Sequence, residues 1–155
     1  MPKVSAGLLL YRVRGGRLEV LLAHPGGPFF RNEDLGAWSI PKGEPEQGEA
    51  LLEAAKREFR EETGFSVDGE YLELGSVKQK GGKLVHAWAI EGDCEPSALR
   101  SNTFPLEWPP RSGKRVEFPE LDRVEFFELE AARRKIKDVQ VAFLDALEQR
   151  IGTGR

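Results

Sequence analysis

Residues 43 to 65 read GEPEQGEALLEAAKREFREETGF, and they predict an amphipathic helix. Apolar residues recur at helical spacing between Gly48 and Thr63, and Gly64 supplies the glycine that commonly follows the last turn of a helix. The apolar stripe that should face the core consists of Leu51, Leu52, Ala55 and Phe59. The charges opposite it, expected to form an ordinary solvent face, are Glu49, Glu53, Lys56 and Arg60. We therefore expect a helix over residues 48 to 63.

Three carboxylates lie close together near the end of this helix. On a helical wheel Glu58 and Glu62 fall on or beside the apolar stripe and Glu61 adjoins them, so all three should point toward the protein. Like charges at this spacing repel by roughly 0.2 to 0.5 kcal/mol per pair, and by more where water is reduced. Arg57 is a single cation, whereas divalent cations held by oxygen would remove the repulsion. Taken alone, the helix leaves a metal site and a solvated acidic face both open.

The wider pattern resembles the Nudix box, G-x5-E-x7-R-E-U-x-E-E-x-G-U, in which U is aliphatic or aromatic. The fixed positions are all filled, in order, by Gly43, Glu49, Arg57, Glu58, Glu61, Glu62 and Gly64, with Phe59 and Phe65 at the apolar places. So many fixed positions make the signature far more specific than a lone glycine motif. The resemblance implies an α/β fold, the Nudix-type α/β/α sandwich with a mixed, partly antiparallel sheet. We expect it to span one domain over residues 1 to 155.

The resemblance also assigns roles within the box. It implies that Glu58 and Glu62 ligate Mg²⁺ or Mn²⁺, that Glu61 assists, and that the Gly43 carbonyl is a further candidate ligand. It implies that Arg57 holds the carboxylates in place. A polyanionic substrate would be repelled by an acidic site unless metal ions bridged carboxylate and phosphate oxygens. The expected reaction is metal-dependent, in-line attack by water on phosphorus, which hydrolyses a phosphoanhydride bond.

The general base is expected to be a glutamate, and its position differs between branches of the family. It is either Glu58 within the box or a glutamate on a later loop, where Glu117 and Glu120 are the candidates. We favour Glu120 because of its spacing from Phe126 in the last predicted strand. Exposed glutamates are common, so an ordinary surface role stays open for both loop residues.

Residues 38 to 43, WSIPKG, are similar to the W-x-x-P-K-G stretch that precedes the box in Nudix enzymes cleaving dinucleoside polyphosphates. This resemblance favours a nucleoside diphosphate linked to another moiety, a dinucleoside polyphosphate or a nucleoside triphosphate, as the substrate. Sugar-nucleotide or inositol polyphosphate hydrolysis and a non-catalytic ligand-binding module are the alternatives. Lys42 is expected either to meet a phosphate or to be a solvated lysine. Trp38 is expected in the core.

Outside the box, strand and helix signals alternate. Strands are predicted at residues 4 to 13, 18 to 23, 37 to 40, 71 to 79, 84 to 90 and 124 to 127, and helices at 130 to 136 and 139 to 150. Residues 92 to 119 carry several prolines and little periodicity, which predicts a long substrate-side loop. Within it, Trp108 or Phe104 could stack on a base, and Arg111, Lys114 and Arg115 could meet phosphates. The alternative, favoured for Phe104, is an aromatic that anchors the loop to the core.

Composition narrows the partners. The net charge is −3 with both signs interspersed, so we expect small nucleotide-like ligands and no stable nucleic-acid complex. No apolar run reaches membrane-spanning length, and the lone Cys94 forms no internal disulfide, so we expect a cytoplasmic protein with no membrane partner. His24, His86 and one cysteine are too few for a zinc site, which favours a hard, oxygen-ligated metal. A homo-oligomer stays open.

Overall fold

The protein is described over residues 3 to 152 by a computed structural model, so the predicted domain span of 1 to 155 extends past the described residues at both ends. Residues 3 to 152 form eight strands and three α-helices. The strands are β1 (Val4–Arg14), β2 (Arg17–Pro25), β3 (Lys42–Gly43), β4 (Tyr71–Lys78), β5 (Leu84–Glu91), β6 (Thr103–Glu107), β7 (Arg115–Pro119) and β8 (Leu121–Glu128). The helices are α1 (Leu51–Thr63), α2 (Leu129–Lys135) and α3 (Val141–Ile151).

Six strands form one mixed sheet. Five of them follow the order β4-β5-β1-β2-β8, and the short β3 pairs with β1 beside this path. Strand β1 runs parallel to β5, with Leu8 opposite Trp88, whereas its pairings with β2 and β3 are antiparallel. The β2–β8 and β4–β5 pairs are antiparallel as well. The predicted mixed, partly antiparallel sheet is therefore confirmed.

Both faces of β1 are buried, which explains its continuous apolar run. Leu8 and Leu10 pack on one face with Phe59 of α1. Leu9 packs on the other face with Phe143 of α3. A strand buried on both sides shows no polar alternation, because neither face meets water. Helices cover the sheet from both sides, and the α/β/α sandwich is confirmed.

Residues 92 to 119 differ from the expected loop without regular structure. Strands β6 and β7 form a separate two-stranded antiparallel sheet, in which Thr103 lies opposite Pro119 and Phe104 opposite Phe118. The prolines concealed this hairpin, because proline usually argues against a strand yet is tolerated where no further strand has to pair. The prediction of a structureless loop is wrong for these ten residues.

Other boundaries shift by a few residues. Helix α1 begins at Leu51 rather than at residue 48, and the predicted strand at residues 37 to 40 consists only of isolated bridges from Ser39 to Ala23 and from Trp38 to Ile136. The two C-terminal helices are present as α2 and α3. Within residues 3 to 152, every helix is too short or too polar to cross a membrane.

Candidate active site

The first glycine of the box lies directly against a carboxylate of the helix. Gly43 is the last residue of β3, which pairs with β1, and α1 packs on the same strand. A Cβ atom at position 43 would overlap the carboxyl group of Glu58. Glycine is needed here for close approach, so two ends of the motif that are distant in the sequence meet at one point.

Arg57 is hydrogen-bonded to three carboxylates. Its Nε and Nη2 atoms donate to the two carboxylate oxygens of Glu49, each at 2.9 Å. Its Nη1 atom donates to Glu58 at 2.9 Å and to Glu61 at 3.0 Å. Nη2 also donates to the backbone carbonyl of Glu44 at 3.1 Å. The structure thus brings Arg57 into contact with two of the expected metal ligands, and these contacts set the directions of both carboxylates.

Glu49 corrects one expectation. It lies before the first residue of α1, so the helical wheel that placed it on a solvent face without function does not apply to it. Its side chain is only 17% exposed and is paired with Arg57. Hydrogen bonds from Arg57 and from the backbone N–H of Glu46 lower the pKa of Glu49 to about 2. Glu49 is therefore an ionised partner that orients Arg57.

Glu58, Glu61 and Glu62 differ in their environments. Burial, the largest cause, and the charge of Glu58 together raise the pKa of Glu62 to about 8, while the charge of Lys42 opposes the shift. Burial also raises the pKa of Glu58, against the opposing effect of Arg57. The Glu61 side chain is about half exposed, at 48%. Burial and mutual repulsion thus act on the two inner carboxylates, which is the condition that a bound cation would relieve.

A cavity of about 170 Å³ opens beside Glu62. Charged residues of both signs line it, namely Glu62, Glu120, Lys42 and Lys137. Phe30, Ile40 and Leu121 contribute apolar surface. Burial lowers the pKa of Lys42, and the charges of Lys83 and Lys137 lower it further. The cavity therefore holds acidic and basic groups together on a partly apolar floor.

The backbone of Glu120 is held on both sides. Its N–H donates to the carbonyl of Asn102 at 2.8 Å, and its carbonyl accepts from the N–H of Gly26 at 2.9 Å. A Cβ atom at Gly26 would overlap the carbonyl of Pro119, so this approach also needs glycine. Glu120 lies in the cavity lining, whereas Glu117 accepts a hydrogen bond from Thr103 at 2.8 Å and is outside that lining. Of the two candidate bases on the loop, only Glu120 reaches the cavity.

The other predicted substrate residues lie on the β6–β7 hairpin and outside the cavity lining. Trp108 is half-buried and packs edge to face with Phe29, with 5.5 Å between ring centroids. Three exposed cations follow it, namely Arg111, Lys114 and Arg115. Phe104 lies beside Phe118 at 6.2 Å and against Gly27, so it anchors the hairpin locally rather than to the buried core. The structure does not bring these residues together with the box carboxylates.

Lys137 and Phe30 line the cavity and were missed by the sequence patterns. Lys137 reaches this position because its backbone N–H donates to the Trp38 carbonyl at 2.9 Å, beside the parallel bridge of Trp38 with Ile136. The pairing of Trp38 with Ile136 and Lys137 joins residues far apart in the sequence, so no local motif predicts it. Phe30 follows the glycine and proline turn after β2, where only its exposed aromatic ring could have served as a signal.

Three residues outside the cavity lining, Trp38, His86 and Cys94, have ordinary surroundings. Trp38 is 1% exposed in the core. His86 stacks on Trp88 with 4.5 Å between centroids and is hydrogen-bonded to Glu73 at 2.7 Å. Burial raises the pKa of the Cys94 thiol to about 11, so this cysteine is protonated at neutral pH and is a poor nucleophile.

The donor set fits a hard divalent cation. Glu58 and Glu62 supply carboxylate oxygens, and the backbone of Gly43 lies against Glu58. Within residues 3 to 152, no three His, Cys, Asp or Glu side chains are grouped closely enough to hold an ion in this conformation. Arg57 accounts for part of that, because it hydrogen-bonds Glu58 and Glu61. Carboxylate oxygens of this kind are hard donors that suit Mg²⁺ or Mn²⁺.

A mixed sheet between helices, with an acidic helix and an opposed glycine at one end, defines the class of Nudix-fold proteins. The sequence profile of the NUDIX domain matches residues 1–147, and this chain belongs to that family. The match includes the box, both faces of the sheet and most of α3, so the relationship extends well beyond the helix that first suggested it.

Relatives and solved structures agree with this family. An RNA pyrophosphohydrolase of Erythrobacter litoralis is 43% identical over 65 residues, which cover 39% of this chain and 38% of that protein. Alignments with the curated relatives span 20% to 38% of those proteins' lengths. An Ap4A hydrolase of Caenorhabditis elegans, solved as a binary complex, has a TM-score of 0.66 at 22% identity, covering 95% of this chain and 97% of that one. The NUDIX domain of Shewanella oneidensis NrtR, solved with ADP ribose, has a TM-score of 0.67 at 14% identity, covering 98% and 90%.

Proposed function

We propose that this protein is a metal-dependent hydrolase of phosphoanhydride bonds in nucleoside diphosphates linked to another moiety. The observation that carries the proposal is the cavity next to the complete box, in which two carboxylates, Glu62 and Glu120, share a partly apolar space with two lysines, Lys42 and Lys137. A polyanionic phosphate chain needs both a cation held by carboxylates and basic groups of the protein. An RNA pyrophosphohydrolase among the relatives and an Ap4A hydrolase among the structures of similar fold support this class of substrate.

In this proposal the box holds the metal. Glu58 and Glu62 are its carboxylate ligands, the Gly43 carbonyl is a further ligand, and Glu61 assists. When bound, Mg²⁺ or Mn²⁺ supplies a Lewis acid that neutralises charge on the phosphoryl oxygens and acidifies water. Arg57 is a positioning residue, because it is bonded to Glu58 and Glu61 and is itself oriented by Glu49.

Glu120 is our proposed general base. Its carboxylate lines the same cavity as Glu62, and its backbone is fixed by hydrogen bonds on both sides, so the side chain starts from a defined point. A base needs to lie within hydrogen-bonding reach of the attacking water in the substrate complex. The proton of that water moves to a Glu120 oxygen as the water oxygen attacks phosphorus, and the phosphate on the far side leaves.

The volume of the cavity supports our choice of substrate class. A cavity of about 170 Å³ is smaller than the roughly 300 to 1,000 Å³ of pockets that enclose whole ligands. We propose that it encloses the phosphate region only and that the attached moieties extend past its mouth. Trp108, Arg111, Lys114 and Arg115 are the candidates to meet such a moiety. Dinucleoside polyphosphates are the favoured substrates, ahead of nucleoside triphosphates, sugar nucleotides and inositol polyphosphates.

A second candidate function is ligand binding without turnover. The NrtR domain solved with ADP ribose shows that a Nudix fold is found in complex with a nucleotide-like ligand. Retention of every box carboxylate favours hydrolysis in this chain, because a pure binding module has no need to concentrate repelling charges on one helix.

The test is a substrate panel with purified protein. Dinucleoside polyphosphates, nucleoside triphosphates, sugar nucleotides and inositol polyphosphates are incubated with Mg²⁺ or Mn²⁺, and products are separated by chromatography. We expect turnover that chelator abolishes and that either ion restores, with Glu62→Gln as the impaired control. Restoration by zinc alone would contradict the hard-oxygen site. No turnover of any substrate, with ligand binding retained, would favour the binding module.

A further inference from the structure

Lys42 and Lys137 bring two positive charges to one cavity from distant parts of the chain. Lys42 lies on β3, and Lys137 lies between α2 and α3. Both line the cavity of about 170 Å³, opposite in charge to Glu62 and Glu120. Within residues 3 to 152, neither ammonium group has a hydrogen bond or an ion pair below the usual limits of distance. The cavity therefore contains two lysines whose ammonium groups are not hydrogen-bonded to a carboxylate in the described part of the chain, although Glu62 and Glu120 line the same space.

Some other lysines within residues 3 to 152 are paired with carboxylates. Lys135 donates to Asp34 at 2.6 Å, and Lys56 is paired with Glu53 at 3.3 Å. Besides burial, the charge of Lys137 lowers the pKa of Lys42, whereas the charges of Glu62 and Glu120 raise it. Repulsion between like charges strengthens where a partly apolar wall excludes water. Bringing these two together thus has a cost that a bound anion would offset.

The position of Lys137 is set by the backbone rather than by a flexible loop. Its N–H donates to the Trp38 carbonyl at 2.9 Å, and Ile136 before it is fully buried beside Trp38. The backbone of Lys137 is therefore fixed at the point where the residue lines the cavity. Such an attachment suits a residue that must meet a ligand in one orientation.

We infer that Lys137, together with Lys42, binds a phosphoryl group next to the one that is attacked, and that Lys137 is a specificity-determining residue for polyphosphate chains. This inference rests on the proposed function. Both lysines line the same cavity as Glu62 and Glu120, so a phosphate chain held there through a metal ion on the carboxylates would also meet the lysines. Lysine is a compact point charge that suits a tetrahedral phosphate dianion.

The direct probe is inorganic tripolyphosphate, which has no base, sugar or scissile nucleoside linkage. Its affinity for the wild-type protein and for Lys137→Met, Lys137→Arg and Lys78→Met is measured by calorimetry with Mg²⁺ at several salt concentrations. Methionine keeps the apolar stem and removes the charge. Lys78 is an exposed lysine at the end of β4 outside the cavity lining, so Lys78→Met is a charge-matched control.

We expect Lys137→Met to weaken tripolyphosphate binding about 10-fold, with a shallower dependence on salt, while Lys137→Arg stays near wild type and Lys78→Met is unchanged. For hydrolysed substrates, KM should rise with little change in kcat, because a contact shared by ground and transition states is lost. A merely structural role would not produce this split or the rescue by arginine. Thermal melts confirm that each variant is folded.

Two failures are distinguishable. If the wild-type protein hydrolyses a substrate in the panel while Lys137→Met retains its KM and its tripolyphosphate affinity, the assignment of Lys137 is wrong and the proposed hydrolase stands. If no substrate is hydrolysed but Lys137→Met still loses tripolyphosphate affinity, the lysine pair stands as an anion site and the proposed hydrolase is wrong.

Discussion

Arg57 and Glu49 form a two-point ion pair in which Nε and Nη2 of the arginine each donate to a different oxygen of the glutamate, both at 2.9 Å. Both side chains are largely shielded, at 16% and 17% exposure. The pair joins the loop before α1 to the helix itself. Because Arg57 also contacts Glu58 and Glu61, Glu49 is linked through Arg57 to the carboxylates that we propose as metal ligands.

Glu49→Gln should therefore weaken metal activation without removing a ligand. We expect an increase of about 10- to 100-fold in the Mg²⁺ concentration needed for half-maximal activity, the usual range for residues that orient metal ligands. A Mg²⁺ titration of the reaction rate measures it. Glu53→Gln is the matched control, since Glu53 lies on the exposed face of the same helix. Equal titrations for the two variants would remove Glu49 from the site.

The same pair predicts a response to acid. The pKa of Glu49 is lowered to about 2 from its ordinary 4.5, so its contribution to stability is complete above pH 4.5 and is lost as the pH falls toward 2. In Glu49→Gln this part of the acid unfolding curve should flatten. Urea unfolding at several pH values between 2 and 6 provides the comparison with wild type. Parallel curves would contradict the assigned shift.

Ionisation of Glu62 should have the opposite effect on the pH dependence of stability in the metal-free protein. Its pKa is raised to about 8 from 4.5, so the folded state holds a proton that the unfolded state releases, and stability falls as the pH rises through this interval. Glu62→Gln should abolish that loss, since glutamine does not ionise. Urea unfolding in chelator at pH 5 and pH 9 measures the effect. Unchanged pH dependence in the variant would show that Glu62 is not the responsible group.

Raising the Mg²⁺ concentration should distinguish the proposed metal ligands from the proposed general base. Glu58→Gln and Glu62→Gln should lower metal affinity and turnover together, and added Mg²⁺ should recover some activity. Glu120→Gln should lower kcat by roughly 10² to 10⁴-fold with nearly unchanged metal dependence, the usual range for a general base. Glu117→Gln is the control, because Glu117 is bonded to Thr103 outside the cavity. Near-normal kcat for Glu120→Gln at saturating Mg²⁺ would return the base to the box at Glu58.

Trp108→Ala tests the rim of the site. If its ring stacks on a base beyond the cavity, KM should rise more than kcat falls, because stacking is shared by ground and transition states. Phe29→Ala should show a smaller effect in the same direction, since Phe29 supports the Trp108 ring from its edge. Initial rates over a range of substrate concentrations give both constants. An unchanged KM in Trp108→Ala would exclude Trp108 from binding.

The parts of this protein that sequence patterns predicted are those with local signals. The apolar residues of α1 recur at helical spacing, and Gly64, in the left-handed conformation, is a recognisable signal for the end of the helix. The two-glycine turn between β1 and β2 is visible in the same way. The helical wheel wrongly placed Glu49 on the solvent face, because α1 begins only at Leu51 and helical periodicity does not apply to residues before it.

The cavity was less predictable, because contacts distant in the sequence form it. A backbone hydrogen bond to Trp38 positions Lys137, and backbone hydrogen bonds to Asn102 and Gly26 position Glu120. None of these pairs leaves a spacing that a reader of one sequence could recognise. Hairpin β6–β7 was hidden for a different reason, since its alternating Phe104 and Leu106 are interrupted by Pro105.

Strands β6 and β7 pair with each other and not with the main sheet, and this has a consequence for engineering. The tip of the hairpin from Glu107 to Arg115 is a suitable segment for replacement, because no strand of the main sheet lies within it. Its base cannot be shortened or lengthened freely, since Pro119 is paired with Thr103 and Glu120 follows at once. A replaced tip that keeps the Thr103–Pro119 pair in register should change the surface of the hairpin and leave the orientation of Glu120 unchanged. A replacement that shifts this register by one residue should turn the Glu120 carboxylate away from the cavity.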